Sequence, residues 1–205
     1  MSALLRIAAA AFLTAFGFGM AVSAAELEVR YQFVEGDPNA KVEVIEYASL
    51  TCPHCGHFHR DVYPDIKKNY VDTGKVRWVF RHFPLDSLAM AGSLLTACAP
   101  NDNGRKLYDA LFKNQDAWVL SQSPIEPLKG YAQLAGMTGD DVDNCLRNKT
   151  LIEEFRGELQ KISDTQNIEA TPAFFIGDED FQGGPSYPEF AEILEKHLAA
   201  AAPKK

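Results

Sequence analysis

The 205-residue chain reads as an α/β protein whose sheet is interrupted by a block of helices. Three observations carry that reading. Strand-like segments form two distant groups, at 27–49 and 76–83 on one side and at 171–184 on the other. Between them, from Ser87 to about Asp164, apolar residues recur at the helical spacing of three to four. Neither outer group can cover both faces of a sheet alone, so the two must pair into one.

Residues 1–25 differ in kind from the rest. Arg6 gives a positive start, residues 7–22 carry no charge, and Val22-Ser23-Ala24 or Ser23-Ala24-Ala25 supplies the small residues that a signal peptidase reads. An apolar run of 16 residues is short for spanning a bilayer, so a cleaved secretory signal is expected. No cysteine follows the cleavage point that a lipid anchor could use.

The elements then follow in order. LEVRYQF (27–33) alternates like a strand, and EGDPN (35–39) is rich in turn residues. KVEVIEYAS (41–49) becomes apolar on both faces at Ile45 and Tyr47, as an interior strand does. Phe58, Val62, Ile66 and Tyr70 fall four apart on a helix expected to start near Pro53 and to kink at Pro64, whose ring crowds the Arg60 carbonyl. VRWVFRHF (76–83) is a strand. The helical block breaks at PNDNG, SQSP and GMTGDD, and its clearest member, 150–163, carries Leu151, Phe155, Leu159 and Ile162 in one stripe. TPAFFIG (171–177), a DED turn and FQGG make a hairpin. SYPEFAEILEKHL closes the chain as a helix, before a loose AAAAPKK end.

Composition narrows the function classes. With 46% hydrophobic and 23% charged residues the chain suits one globular domain of moderate size or a domain with a sizeable insertion, and it can bury a real core. A formal charge of -8 excludes nucleic acid as the main partner, because phosphate binding needs a dense basic surface. Lys67, Lys68, Lys75, Arg77 and Arg81 form a basic cluster that reads as solvated surface.

Export changes the meaning of the four cysteines, since disulfides persist outside the cytoplasm. Cys52 and Cys55 stand three apart in TCPHCGHFHR (51–60), whereas Cys98 and Cys145 are each alone. A C-x-x-C pair serves zinc, a structural staple or redox chemistry. Zinc needs four ligands, and His57 and His59, two apart on a helix, point in different directions and read as surface residues. A staple across so short a loop restricts the unfolded chain little. Redox use explains more of the residues. Pro53 suits the first helical position, so Cys52 sits at the helix N-terminus, where free N–H groups and the helix dipole stabilise a thiolate. His54, when protonated, adds a second positive group, and Cys55 lies one turn further in as the more buried sulfur. Each unit by which the Cys52 pKa falls is worth about 1.4 kcal/mol to the dithiol form, or about 30 mV in a two-electron potential.

CPHC opening a helix, Glu46 six residues upstream on a strand, and Thr171-Pro172 before a later strand together resemble the DsbA family of thiol:disulfide oxidoreductases. The resemblance covers residues 36–198. It implies a thioredoxin-like fold, a central mixed β-sheet flanked by helices, with an all-helical domain inserted in its middle. The domains would be 26–84 and 165–200 for the thioredoxin-like part, 85–164 for the insertion, and 201–205 for a flexible tail. It implies that Cys52 is the exposed sulfur that forms the mixed disulfide, Cys55 the partner that closes or leaves, and Glu46 a partly buried acid moving protons near Cys55. Pro172 would be a cis-proline facing the pair, and Thr171 would offer backbone hydrogen bonds to substrate. Two features depart from the best-known members. Val often precedes the cis-proline there, Thr being frequent in the disulfide isomerase branch; and Cys98 and Cys145 are additional, matching a second, structural bridge in some bacterial branches, with a regulatory or second redox pair as the alternative.

The implied activity is that of a monomeric periplasmic oxidant which donates its disulfide to reduced exported proteins and is reoxidised by a membrane quinone-linked protein, with no metal or cofactor. The rivals are an isomerase or reductase of the same fold, and a periplasmic metal chaperone using Cys52, Cys55 and a histidine.

Overall fold

The computed structural model describes residues 31–202. The predicted signal, the first residues of the 27–33 strand and the end of the tail lie outside the described residues.

Five strands form one mixed sheet: β1 (Gln32–Glu35), β2 (Val42–Ala48), β3 (Val76–His82), β4 (Ala173–Ile176) and β5 (Glu179–Gln182), ordered β1-β3-β2-β4-β5. The two sequence groups therefore meet at β2, which pairs in parallel with β3 and antiparallel with β4. This central position explains the apolar run around Tyr47, because β2 is covered on both faces. The first described strand starts at Gln32 and takes in Glu35, so it runs later than the expected 27–33 segment. The β4–β5 turn is shorter than DED. It consists of Gly177 and Asp178, with Gly177 at φ 61°, a positive value that fits the first position of a tight hairpin turn.

The helix after the CPHC motif, α1, runs as Pro53–His57, a π turn Phe58–Val62, Tyr63–Ile66 and a second π turn Lys67–Val71. Pro64 has no N–H to return to the Arg60 carbonyl. The turn before it widens, with the Tyr63 N–H reaching the Phe58 carbonyl, so the expected kink becomes a π turn. Phe58, Val62, Ile66 and Tyr70 are all buried, as their spacing predicts. They meet the sheet and the last helix, α8 (Tyr187–Ala200), through Phe58, Trp78, Phe174 and Phe190, whose ring centroids lie 4.7–6.1 Å apart. A capping box of Ser186 and Glu189 starts α8. This helix takes in the first alanines of the expected loose end, in keeping with the high helix propensity of alanine.

Between β3 and β4 in sequence lie α2 (Ser87–Cys98), α3 (Asn103–Lys113), α4 (Gln115–Val119), α5 (Ile125–Leu134), α6 (Gly139–Leu146) and α7 (Lys149–Thr165). Asp86 caps α2, a Thr138–Asp141 capping box starts α6 and Asn148 caps α7, so each begins at a side chain able to take up a free N–H. α2 packs against α3, α5 and α6. A disulfide joins Cys98 at its end to Cys145 in α6.

The basic cluster is less free than its sequence suggests. Lys67 pairs with Glu35 at 3.2 Å and Asp72 at 2.6 Å, Arg77 pairs with Glu43, and Arg81 donates to the Tyr47 hydroxyl at 2.9 Å. The β2–β3 register brings Glu43 opposite Arg77 and Tyr47 opposite Arg81.

Candidate active site

Cys52 occupies the N-cap of α1 with extended backbone (φ -73°, ψ 121°), and its carbonyl accepts the first helical hydrogen bond from Gly56 at 3.0 Å. Its own N–H is held by the Ser49 carbonyl at 3.1 Å. The two sulfurs are free thiols in unequal surroundings: Cys52 keeps 8% of its surface accessible and Cys55 none. Cys52 is thus less open than expected. Thr171 covers it, the Cys52 Sγ donating to the Thr171 carbonyl at 3.3 Å.

The Thr171-Pro172 peptide is cis. Two sets of bonds seat this loop beside Cys52. The Pro172 carbonyl accepts from the Gly183 N–H at 2.8 Å. Oε1 of Gln182 accepts from the N–H groups of Glu169 and Ala170 at 2.7 and 2.9 Å.

The electrostatics separate the two sulfurs further. A hydrogen bond from Cys55, together with Thr171 and the backbone N–H groups of Cys55 and His54, pulls the Cys52 pKa down to about 5 against the opposing effect of burial. Burial pushes the Cys55 thiol well up, and its bond to Cys52 and the nearby Cys52 and Glu46 charges push the same way. His54 acts here through its peptide N–H. Its side chain is exposed.

Glu46 departs from the expectation of partial burial, for it has no exposed surface. It sits mid-strand on β2 under α1, and both oxygens are engaged. Trp78 Nε1 donates to Oε2 at 3.1 Å, and His59 Nε2 lies 2.8 Å from Oε1. His59 is therefore not a surface residue; its side chain is 3% exposed. The π turn supplies the reason, since the extra residue lets the consecutive Phe58 and His59 both face inward. His57 remains exposed and pairs with Asp61 at 2.7 Å. Among the described residues no group of three or more His, Cys, Asp or Glu is placed to hold a metal.

Two tethers from the helical block hold the motif, and neither is visible in the sequence. Gln115, buried at the start of α4, donates from Nε2 to the carbonyls of Leu50 at 2.8 Å and Cys52 at 2.9 Å. Gly56 makes room for it, because a Cβ there would stand 2.1 Å from Gln115 Oε1. Thr51 donates its hydroxyl to Asp86, the α2 cap, at 2.6 Å. No local pattern marks a glutamine 63 positions from its partner, and only the Gly56 in CPHCG hints at a close approach.

A mixed sheet of this order, with a helix-capping dithiol facing a cis-proline, defines a thioredoxin-type site. Comparison with known proteins agrees. The thioredoxin family matches residues 28–196. A Rickettsia bellii protein named "Putative protein-disulfide oxidoreductase" is 33% identical over 144 residues, 70% of this chain and 56% of its own length. Among solved structures, alpha-DsbA1 of Wolbachia pipientis is 31% identical with a TM-score of 0.75, over 83% of this chain and 92% of that one. BdbD of Bacillus subtilis is 25% identical with a TM-score of 0.70, over 82% and 93%. The chain belongs to the DsbA-like family of thiol:disulfide oxidoreductases. It spans about half the length of the curated Rickettsia relatives it matches.

Proposed function

We propose that this protein oxidises thiols in exported proteins by donating the disulfide formed between Cys52 and Cys55. The inequality of the two sulfurs carries the reading, with the Cys52 thiolate favoured and Cys55 held as a buried thiol. Stabilising the thiolate stabilises the dithiol form, and this makes the disulfide a stronger oxidant.

A client thiolate attacks Cys52 Sγ, the S–S bond breaks, and its electron pair passes to Cys55, which takes up a proton. The second client thiolate then attacks the client sulfur of the mixed disulfide. Cys52 leaves as a thiolate, for which a low pKa makes it a good leaving group. Glu46 is the acid that supplies and removes the Cys55 proton. Pro53 opens the helix without wasting an N–H, and the His54 N–H points at the thiolate. Thr171 and Pro172 present backbone groups to an extended client segment, by strand addition. Leu85, 57% exposed on the loop whose N–H bonds Ser49 Oγ, offers apolar surface beside the motif. Cys98–Cys145 is structural, a brace within an inserted helical domain at 85–164.

Residues 1–25 direct the chain to the periplasm, where it works as a monomer and returns its electrons to a membrane quinone-linked protein. The test is the redox equilibrium of the pair against glutathione. A potential well above the roughly -270 mV of thioredoxin supports an oxidant; a value near it sinks the reading.

A further inference from the structure

We propose that His59 is the proton gate of the buried acid, passing protons between Glu46 and the cleft that separates α1 from α3. The inference rests on the redox reading of Cys52 and Cys55 and adds a residue to its proton path.

Glu46 has no exposed surface, so a proton that it exchanges with Cys55 must come and go through a neighbour. It has two hydrogen-bonding neighbours. The Trp78 indole N–H only donates and does not titrate at any ordinary pH. His59 Nε2, 2.8 Å from Oε1, can give a proton to the carboxylate or accept one from the acid. The ring is held for this role, stacked on Phe112 with centroids 4.0 Å apart and planes at 6°. The ring of Tyr108, a buried phenol, stands nearly perpendicular to it with centroids 5.4 Å apart.

His59 also borders a cleft of about 620 Å³. From α1 the cleft receives Arg60, Tyr63 and Lys67, from α3 Arg105, Asp109 and Lys113, and from β1 Glu35. These charges are largely committed to one another. Arg105 pairs with Glu35 at 3.0 Å and with Asp109, Lys67 pairs with Glu35 at 3.2 Å, and Tyr63 donates to Glu35 at 2.7 Å. Arg60 donates to the Phe112 carbonyl at 3.2 Å. With the carboxylates so engaged, solvent in the cleft is the partner left for His59.

The steps balance. When a client thiolate breaks the Cys52–Cys55 bond, Cys55 receives the electron pair and takes the Glu46 proton. The carboxylate recovers it from the Nε2–H of neutral His59 while Nδ1 takes a proton from solvent in the cleft, which leaves the Nδ1–H tautomer. Reoxidation runs the same path backwards, with one proton released to solvent.

The experiment follows oxidation of a dithiol peptide by stopped flow as a function of pH in wild type, His59→Gln and His59→Ala. Glutamine can still donate to Glu46 but cannot relay a proton. Its rate should fall about tenfold, less than the 100-fold or more typical of positioned acid–base groups, because Glu46 still holds one proton. The pH-dependent limb should flatten. Free imidazole should restore the rate of His59→Ala in proportion to its concentration while leaving wild type unchanged. A glutamine variant with the wild-type rate and pH profile, or an alanine variant insensitive to imidazole, overturns the proposal. A wild-type protein that fails to oxidise the peptide overturns the redox reading instead.

Discussion

Two pairs of cysteines share this chain and are built in opposite ways. Cys98 and Cys145, 47 positions apart, are bridged between the end of α2 and α6. Cys52 and Cys55 sit three apart at one helix start and remain free thiols. The difference lies in what surrounds the sulfurs. Around Cys52 stand N–H groups of a helix N-terminus, while Cys55, one turn on, is buried, bonded to Cys52 and close to the Glu46 charge. A short step along the chain thus separates a favoured thiolate from a disfavoured one. The distant pair closes a large loop, which in the chain-entropy account removes entropy from the unfolded chain.

The sharpest way to break the comparison is to exchange the roles of the pairs. Cys52→Ala should abolish dithiol-peptide oxidation, whereas the double variant Cys98→Ala/Cys145→Ala should keep it; equal loss in both would erase the distinction. That double variant should instead lose stability by about 4 kcal/mol in the chain-entropy account, an upper figure, read by chemical denaturation. Gln115→Ala leaves two carbonyls of the motif without their donor, and should cost about 1–3 kcal/mol while slowing exchange at Cys52. A full-rate variant would show that the tether serves folding only.

Smaller effects concern the thiolate itself. Its ultraviolet absorbance in the dithiol protein should titrate with a midpoint near 5. The folded pKa lies below the ordinary thiol value of 9.0, so the thiolate's contribution to the dithiol form is complete above that value and is lost as pH falls through about 5. Measured against a dithiol whose sulfurs keep the ordinary pKa, the pair should therefore become a weaker oxidant toward acid. Cys55→Ala removes the bond that contributes most to lowering the Cys52 pKa, and should move the midpoint upward.

Some of this was legible along the chain. Alternation and apolar runs located β2, β3 and β4, and the spacing of Phe58, Val62, Ile66 and Tyr70 gave the buried face of α1. The signal lay in periodicity, which depends on neighbours a few residues away. His59 escaped because a helix of 3.6 residues per turn turns it outward, and only the π turn ahead of Pro64 brings it inside.

By itself, the sequence determined the order of elements, the split of the sheet around a helical block, and a dithiol at a helix start with unequal sulfurs. Those features follow from local chemistry: side-chain period, proline at a first helical turn, and N–H groups left free there. Tertiary structure alone decided that Glu46 would be sealed between Trp78 and His59, that Thr171 would cover Cys52, and that Gln115 would reach across from the helical block to hold the motif. Each of these contacts joins residues 13 to 119 positions apart. Their geometry depends on how layers pack, and no local pattern encodes it.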